Sequence, residues 1–138
     1  MAEITLADFY KGRDVAYASE LTPEIQANAA ITVAKCNELL ASFYASQAQG
    51  SYRTVNSGWR PPEVNATTLN AKPNSKHMTG QACDLSDDDE ALDNWCLSVE
   101  GTAALVRIGL WQESPASTPR WCHIQVVAPA SGRRVFIP

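Results

Sequence analysis

Ser75-Lys76-His77-Met78-Thr79-Gly80-Gln81-Ala82-Cys83-Asp84 is the stretch from which the rest of the chain can be placed. His77 precedes Asp84 by seven residues. Gly80 between them gives the chain the conformational freedom to turn and bring a loop and a strand onto one point. Gln81 to Leu85 reads as that strand, with Ala82 and Asp84 on one face and Cys83 and Leu85 on the other. The chain has only two histidines. An isolated histidine is commonly a satisfied structural residue, but here the neighbours argue for chemistry. The second lies in Trp121-Cys122-His123-Ile124-Gln125, where alternation puts Trp121, His123 and Gln125 on one face and Cys122, Ile124 and Val126 on the other. If that polar face lies beside Asp84, His77, Asp84 and His123 converge. Two imidazoles and one carboxylate, with a fourth position left for water, form the open coordination of a catalytic zinc site holding one ion per chain. A closed structural site would want cysteines. Cys83 and Cys122 adjoin proposed ligands, yet alternation turns both toward the core.

Outward from these motifs, Thr22-Pro23-Glu24 predicts a helix start: a hydroxyl N-cap, proline at the first helical position, and an acid at the positive end of the dipole. Ile25, Ala29, Val33, Cys36, Leu40 and Phe43 then recur at three- and four-residue steps, giving one apolar stripe that ends before Gly50. Arg53 to Ser57 reads as a short strand. Gly58 with Pro61-Pro62 forces an irregular turn that displays Trp59 and Arg60. From Glu63 to Lys76 the absence of periodicity predicts a surface loop. Asp87-Asp88-Asp89-Glu90 suits the start of a helix carrying Leu92, Trp95, Cys96 and Val99, and the run lacks the glycine and glutamate spacing of an EF-hand. Thr102 to Ile108 predicts a further helix closed by Gly109. Trp121 to Val127 and Arg134 to Ile137 read as the last strands, separated by a Pro129 to Gly132 turn.

Composition narrows the class. A chain of 138 residues, 45% hydrophobic and 19% charged, fits one globular domain spanning residues 1–138. A net charge of −4 with eleven scattered Lys and Arg gives no surface for nucleic acid. No apolar run approaches the roughly 18 residues of a membrane helix, so no membrane insertion is expected. The start, Met1-Ala2-Glu3-Ile4-Thr5, lacks the basic and apolar regions of a secretory signal. The four cysteines lack C-x-x-C spacing and read as reduced thiols.

Ser75 to Asp84 resembles the S-x-H-x-x-G-x-A-x-D signature of the D-alanyl-D-alanine carboxypeptidase family of peptidoglycan metallopeptidases. Ser57-Gly58-Trp59-Arg60-Pro61 resembles that family's S-G-[YW]-R-P turn, and Trp121-Cys122-His123 occupies the place of its last zinc-binding histidine. Within that family the chain more closely resembles compact forms encoded by bacteriophages and prophages, which are also similar to it at Thr118 to Trp121 and Ser131 to Phe136. The resemblance implies a small α+β fold with a central antiparallel sheet packed against helices and the zinc site on one face of that sheet. It implies the ligands His77, Asp84 and His123, and an Arg60 that contacts substrate near the scissile bond. A guanidinium suits that place because it can bind a carboxylate bidentately or stabilise a developing oxyanion. Trp59 and Trp121 join Arg60 as candidate substrate contacts. Ser75 either orients substrate or hydrogen-bonds its own loop, and the sequence leaves both open.

One position departs from the family. Many relatives place a glutamate, the general base, three residues before the last histidine, where this chain has Arg120. Glu113 is the candidate in its stead, since phage-type forms resemble the chain at that acid too; the alternative is a solvated loop glutamate. The expected function is zinc-dependent hydrolysis of peptidoglycan stem peptides by a carboxypeptidase or cross-link endopeptidase, as a phage endolysin or virion-associated hydrolase. The rival is a zinc-binding virion or tail component that binds peptidoglycan without cutting it, with other phage virion proteins as partners. Either is expected to be made in the host cytoplasm and to reach the wall through a phage hole-forming protein or in the virion.

Overall fold

A computed structural model describes residues 3–46 and 52–138 of the chain. In chain order these form α1 (Leu6–Tyr10), α2 (Arg13–Ala16), α3 (Pro23–Ser46), β1 (Val55–Ser57), α4 (Pro62–Thr67), β2 (Ala82–Ser86), α5 (Ala91–Leu97), α6 (Val99–Ile108), β3 (Trp111–Glu113), β4 (Trp121–Gln125) and β5 (Val135–Phe136). Short 3₁₀ turns occupy Ala18–Glu20, Lys76–Thr79 and Pro115–Ser117.

The α3 helix begins where the sequence predicts, with the Thr22 hydroxyl accepting from the Ile25 amide at 3.2 Å. Its stripe of Ala29, Val33, Cys36, Leu40 and Phe43 is buried, while Ile25 packs at the edge of the core. The expected end before Gly50 lies outside the described residues, as do Met1 and Ala2. α3 packs on β2 and α6. Each fully buried Leu or Phe along it contributes about 1.5 to 3 kcal/mol relative to exposure.

The fold is α+β, a small domain built on a five-stranded sheet of order β1-β2-β4-β3-β5. The first three pairings are antiparallel, as expected, and the edge pair β3–β5 is parallel, so the sheet is mixed. In the β2–β4 ladder Asp84 stands directly opposite His123. Alternation divides the sheet as read from sequence. Cys83, Leu85, Cys122 and Ile124 are fully buried among α3, α5 and α6 residues, while Asp84, His123 and Trp121 turn to the opposite face. All four cysteines are free and buried.

Several elements differ from expectation. The stretch from Glu63 to Lys76 is not one loop: Pro61 and Pro62 nucleate α4, because proline's fixed φ suits a first helical turn. Thr67 and Thr68 hydroxyls close it by bonding back to the Val64 carbonyl. Asp87 does more than charge a helix start. It is fully buried, accepts from the Leu92 and Asp93 amides at 2.9 and 2.8 Å, and pairs with Arg53 at 3.1 Å. Val99 belongs to α6, since Ser98 takes an extended backbone and its hydroxyl caps Gly101 at 3.1 Å. β3 was not foreseen, being only three residues long. The segment before α3 also joins the core through Ile4, Phe9 and Tyr10, behind an α1 capping box of Thr5 and Asp8.

Candidate metal centre

The site begins with a strand and a tight turn. Lys76–Thr79 closes at Gly80, whose φ of +75° and 3.1 Å approach to the Ile25 carbonyl both disfavour a side chain. β2 follows at once and presents Asp84 to His123 across the ladder. The ligand atoms of His77, Asp84 and His123 lie within 4.8 Å of one another, a grouping that could hold a metal ion.

Each imidazole is fixed from behind. The Nδ1–H of His77 donates to the Gly58 carbonyl at 2.7 Å, which leaves the Nε2 lone pair facing inward. The amide of Gln125 is oriented by its own donation to the Val127 carbonyl at 2.7 Å, so its oxygen faces His123 Nε2 at 3.0 Å. His123 therefore turns Nδ1 to the centre, 2.8 Å from Asp84 Oδ1. His77 Nε2 lies 3.2 Å from Asp84 Oδ2, yet it is buried and has no hydrogen-bond partner. With the ring proton on Nδ1, that nitrogen and the carboxylate oxygen are two acceptors face to face. A cation between them resolves the conflict, which fits the donor set to a metal.

Electrostatics agree. Burial pushes Asp84 up, but His77 and His123 outweigh it and hold the carboxyl well below its usual range. Burial lowers His77, and the opposing pull of Asp84 does not reverse this, so its ring stays neutral and able to ligate. Burial also lowers His123, but the Asp84 hydrogen bond overrides it and raises the ring to about 9. That proton occupies the place a metal would take. Cys83, in contact with Cys36 and buried, is pushed well above a thiol's ordinary value, and burial with Cys96 does the same to Cys122. Neither offers a thiolate.

Around this centre runs a groove of about 1250 Å³ lined by Arg60, Ser75, Glu113, Trp121, Gln125 and Phe136, among others. Arg60 is nearly buried, with Nη1 3.8 Å from Asp84 Oδ2. Ser57, Asn65 and Ser75 each accept one of its N–H groups at 3.2 to 3.3 Å. Ser75 thus bonds its surroundings, capping the His77 amide as well as holding Arg60. Glu113 reaches the groove because its neighbour Gln112 is pinned on the other face of β3, where it donates to Asp93 at 2.8 Å. The Thr118 hydroxyl binds the other oxygen of Asp93 at 3.0 Å, tying the approach to β4 to the same anchor. Burial raises the Glu113 carboxyl, and the facing His123 charge only partly opposes that.

Trp59 is the correction. Expected on display as a substrate contact, it is fully buried, its indole donating to the Met78 carbonyl at 3.1 Å and its ring edge-on to Tyr10 at 6.2 Å. It wedges the turn against the His77 segment, and the Arg60 amide adds a bond to the His77 carbonyl at 3.0 Å. Sequence reasoning missed Gly58 as the partner of His77. A Cβ there would meet the Phe9 carbonyl at 2.2 Å, a contact no local pattern reveals. It also missed Asn65. Gln125 was findable, since it shares the strand face of His123.

No family model, curated protein or solved structure matches the chain.

Proposed function

We propose that the chain is a zinc-dependent peptidase acting on peptidoglycan stem peptides, with one zinc held by His77, Asp84 and His123. The observation that carries this reading is the convergence of two tautomer-fixed imidazoles and a carboxylate at the floor of a groove that also contains Glu113 and Arg60. A donor set of two nitrogens and one oxygen, with thiols turned away, suits zinc with a coordination position open to solvent. Zinc bound there supplies Lewis acidity to water and to a carbonyl.

The chain's own residues do the rest. Glu113 takes a proton from the attacking water and passes it to the departing amine, and its raised pKa brings it nearer the working pH. Arg60 directs N–H donors at the oxygen that gains charge. Its bonds to Ser57, Asn65 and Ser75 fix the fork in advance, so little reorganisation is left for the reaction. Trp121 forms part of the wall against which a peptide lies. The peptidoglycan substrate and the phage setting, with delivery by a hole-forming protein or by the virion, are supported by the family resemblance of the Ser57–Pro61, Ser75–Asp84 and Trp121–His123 motifs.

A wall-binding module that holds zinc without cutting is the second reading. It is favoured by Arg120, which stands where many relatives have a glutamate and is exposed, paired with Asp88 at 3.5 Å. Incubating zinc-loaded protein with purified peptidoglycan and counting released amines separates the two. Amine release that a chelator stops supports the peptidase. Binding to the wall with full zinc and no amine release selects the module.

A further inference from the structure

Arg13 opens α2 and lines the same groove as the ligands, yet neither the metal set nor the proton carrier uses it. Its Nη1 donates to the Trp59 carbonyl at 2.9 Å. Trp59 lies between Gly58, which holds His77, and Arg60, which faces Asp84, so Arg13 is fastened to the same turn as both. One N–H group is engaged by that bond and the rest of the fork is left for a ligand. Among the described residues no carboxylate lies within ion-pair distance of Arg13.

Two guanidiniums therefore share one wall. Burial lowers the Arg60 pKa, Asp84 opposes this, and the Arg13 charge lowers it further, so the two cations feel one another. Holding like charges together in a half-buried groove is unfavourable unless an anion comes between them. The groove is richer in cations than the chain as a whole. Arg13, Arg60, Lys72 and Lys76 line it against the side chains of Asp84 and Glu113, in a protein of net charge −4. Asp84 is turned to the histidines, which leaves the wall near Arg13 without a counter-charge.

We propose that Arg13 is a second substrate-binding arginine, taking a carboxylate of the bound peptide beside the metal ligands while Arg60 faces the reacting oxygen. The inference rests on the peptidase reading for its ligand class. A planar fork suits a carboxylate because two parallel N–H donors meet its two oxygens. In a stem peptide that group is either the terminal carboxylate or the free α-carboxylate of a γ-linked D-glutamate.

Calorimetric titration of zinc-loaded Glu113→Gln protein, in which turnover is suppressed, tests this with L-Ala-γ-D-Glu-L-Lys-D-Ala-D-Ala in four forms. These carry both carboxyls free, only the terminal one, only the internal one, or neither, the others being amidated. The parent protein binds one of the single-acid forms about tenfold or more tighter than the fully amidated peptide, and the form preferred names the source. Arg13→Met removes that preference while leaving zinc content and affinity for the amidated peptide unchanged. Equal binding of acid and amide by the parent, or a preference that survives Arg13→Met, overturns the assignment. Should Arg13→Met lose zinc, Arg13→Gln keeps a donor for the Trp59 carbonyl without the charge and is read by the same rule. Peptidoglycan hydrolysis is scored separately in the protein with Glu113 intact. Turnover without acid preference rejects Arg13 alone, and acid preference without turnover rejects the peptidase reading alone.

Discussion

Glu113 and His77 illustrate how much one side chain depends on its neighbour's fastening. Glu113 faces the groove because Gln112 is locked to Asp93 behind the strand, and His77 offers Nε2 because Gly58 holds its Nδ1 proton. Both arrangements orient a groove side chain through a residue fastened behind it. Glu113→Gln keeps the size and the strand while removing the proton acceptor. It is expected to retain zinc and melting temperature and to lose about a hundredfold or more in turnover, measured as amine release from peptidoglycan. Turnover at the wild-type rate would remove Glu113 from the mechanism. The arginine at position 120 lies apart from Glu113 and the groove. It sits in a left-handed turn with φ of +73°, side chain in solvent, outside the groove lining.

The Lys76–Thr79 turn, Gly80 and β2 form one unit that carries two of the three candidate ligands, with a single glycine at its bend. Gly80→Ala would place a methyl group 3.1 Å from the Ile25 carbonyl in a backbone conformation that alanine resists. The expected result is a loss of about 1 to 2 kcal/mol in denaturant unfolding of the metal-free protein, with weaker zinc binding by competition against a chromophoric chelator. Unchanged values in both would show that the turn does not set the ligand spacing.

How far this unit could be read in advance follows from its physics. The strand face of Asp84 and the face of His123 were legible because alternation is local. The α3 stripe was legible because its 3.6-residue period runs over many turns. The fates of Trp59 and Gly58 were not. Both depend on Phe9 and Tyr10, which approach from a distant part of the chain. β3 and α4 escaped because three- and six-residue elements carry too little periodicity. The parallel pairing of β5 with β3 has no sequence signal of its own.

Taken as one cooperative domain, the protein stores part of its stability in the site. In the metal-free state the His123 ring is raised from 6.5 to about 9 by Asp84. A raised folded-state pKa contributes stability that is fully present below about 6.5 and lost as pH rises through about 9. Metal-free protein should therefore lose on the order of 3 kcal/mol between pH 6 and 9.5, and His123→Asn should flatten that slope. A slope that is the same in the variant would locate the titration elsewhere. Bound zinc replaces the proton, so zinc-loaded protein should melt higher than metal-free protein.

The reading of this fold as a zinc peptidase stands or falls on whether metal at these three residues and hydrolysis rise together. Metal-free protein titrated with zinc, followed at each step by amine release from purified peptidoglycan, measures both at once. Activity is expected to climb in proportion to zinc and to level off at one ion per chain, with neither metal uptake nor amine release in His123→Ala. Hydrolysis by the metal-free protein, or full occupancy of the site by zinc with no amine released, would contradict it.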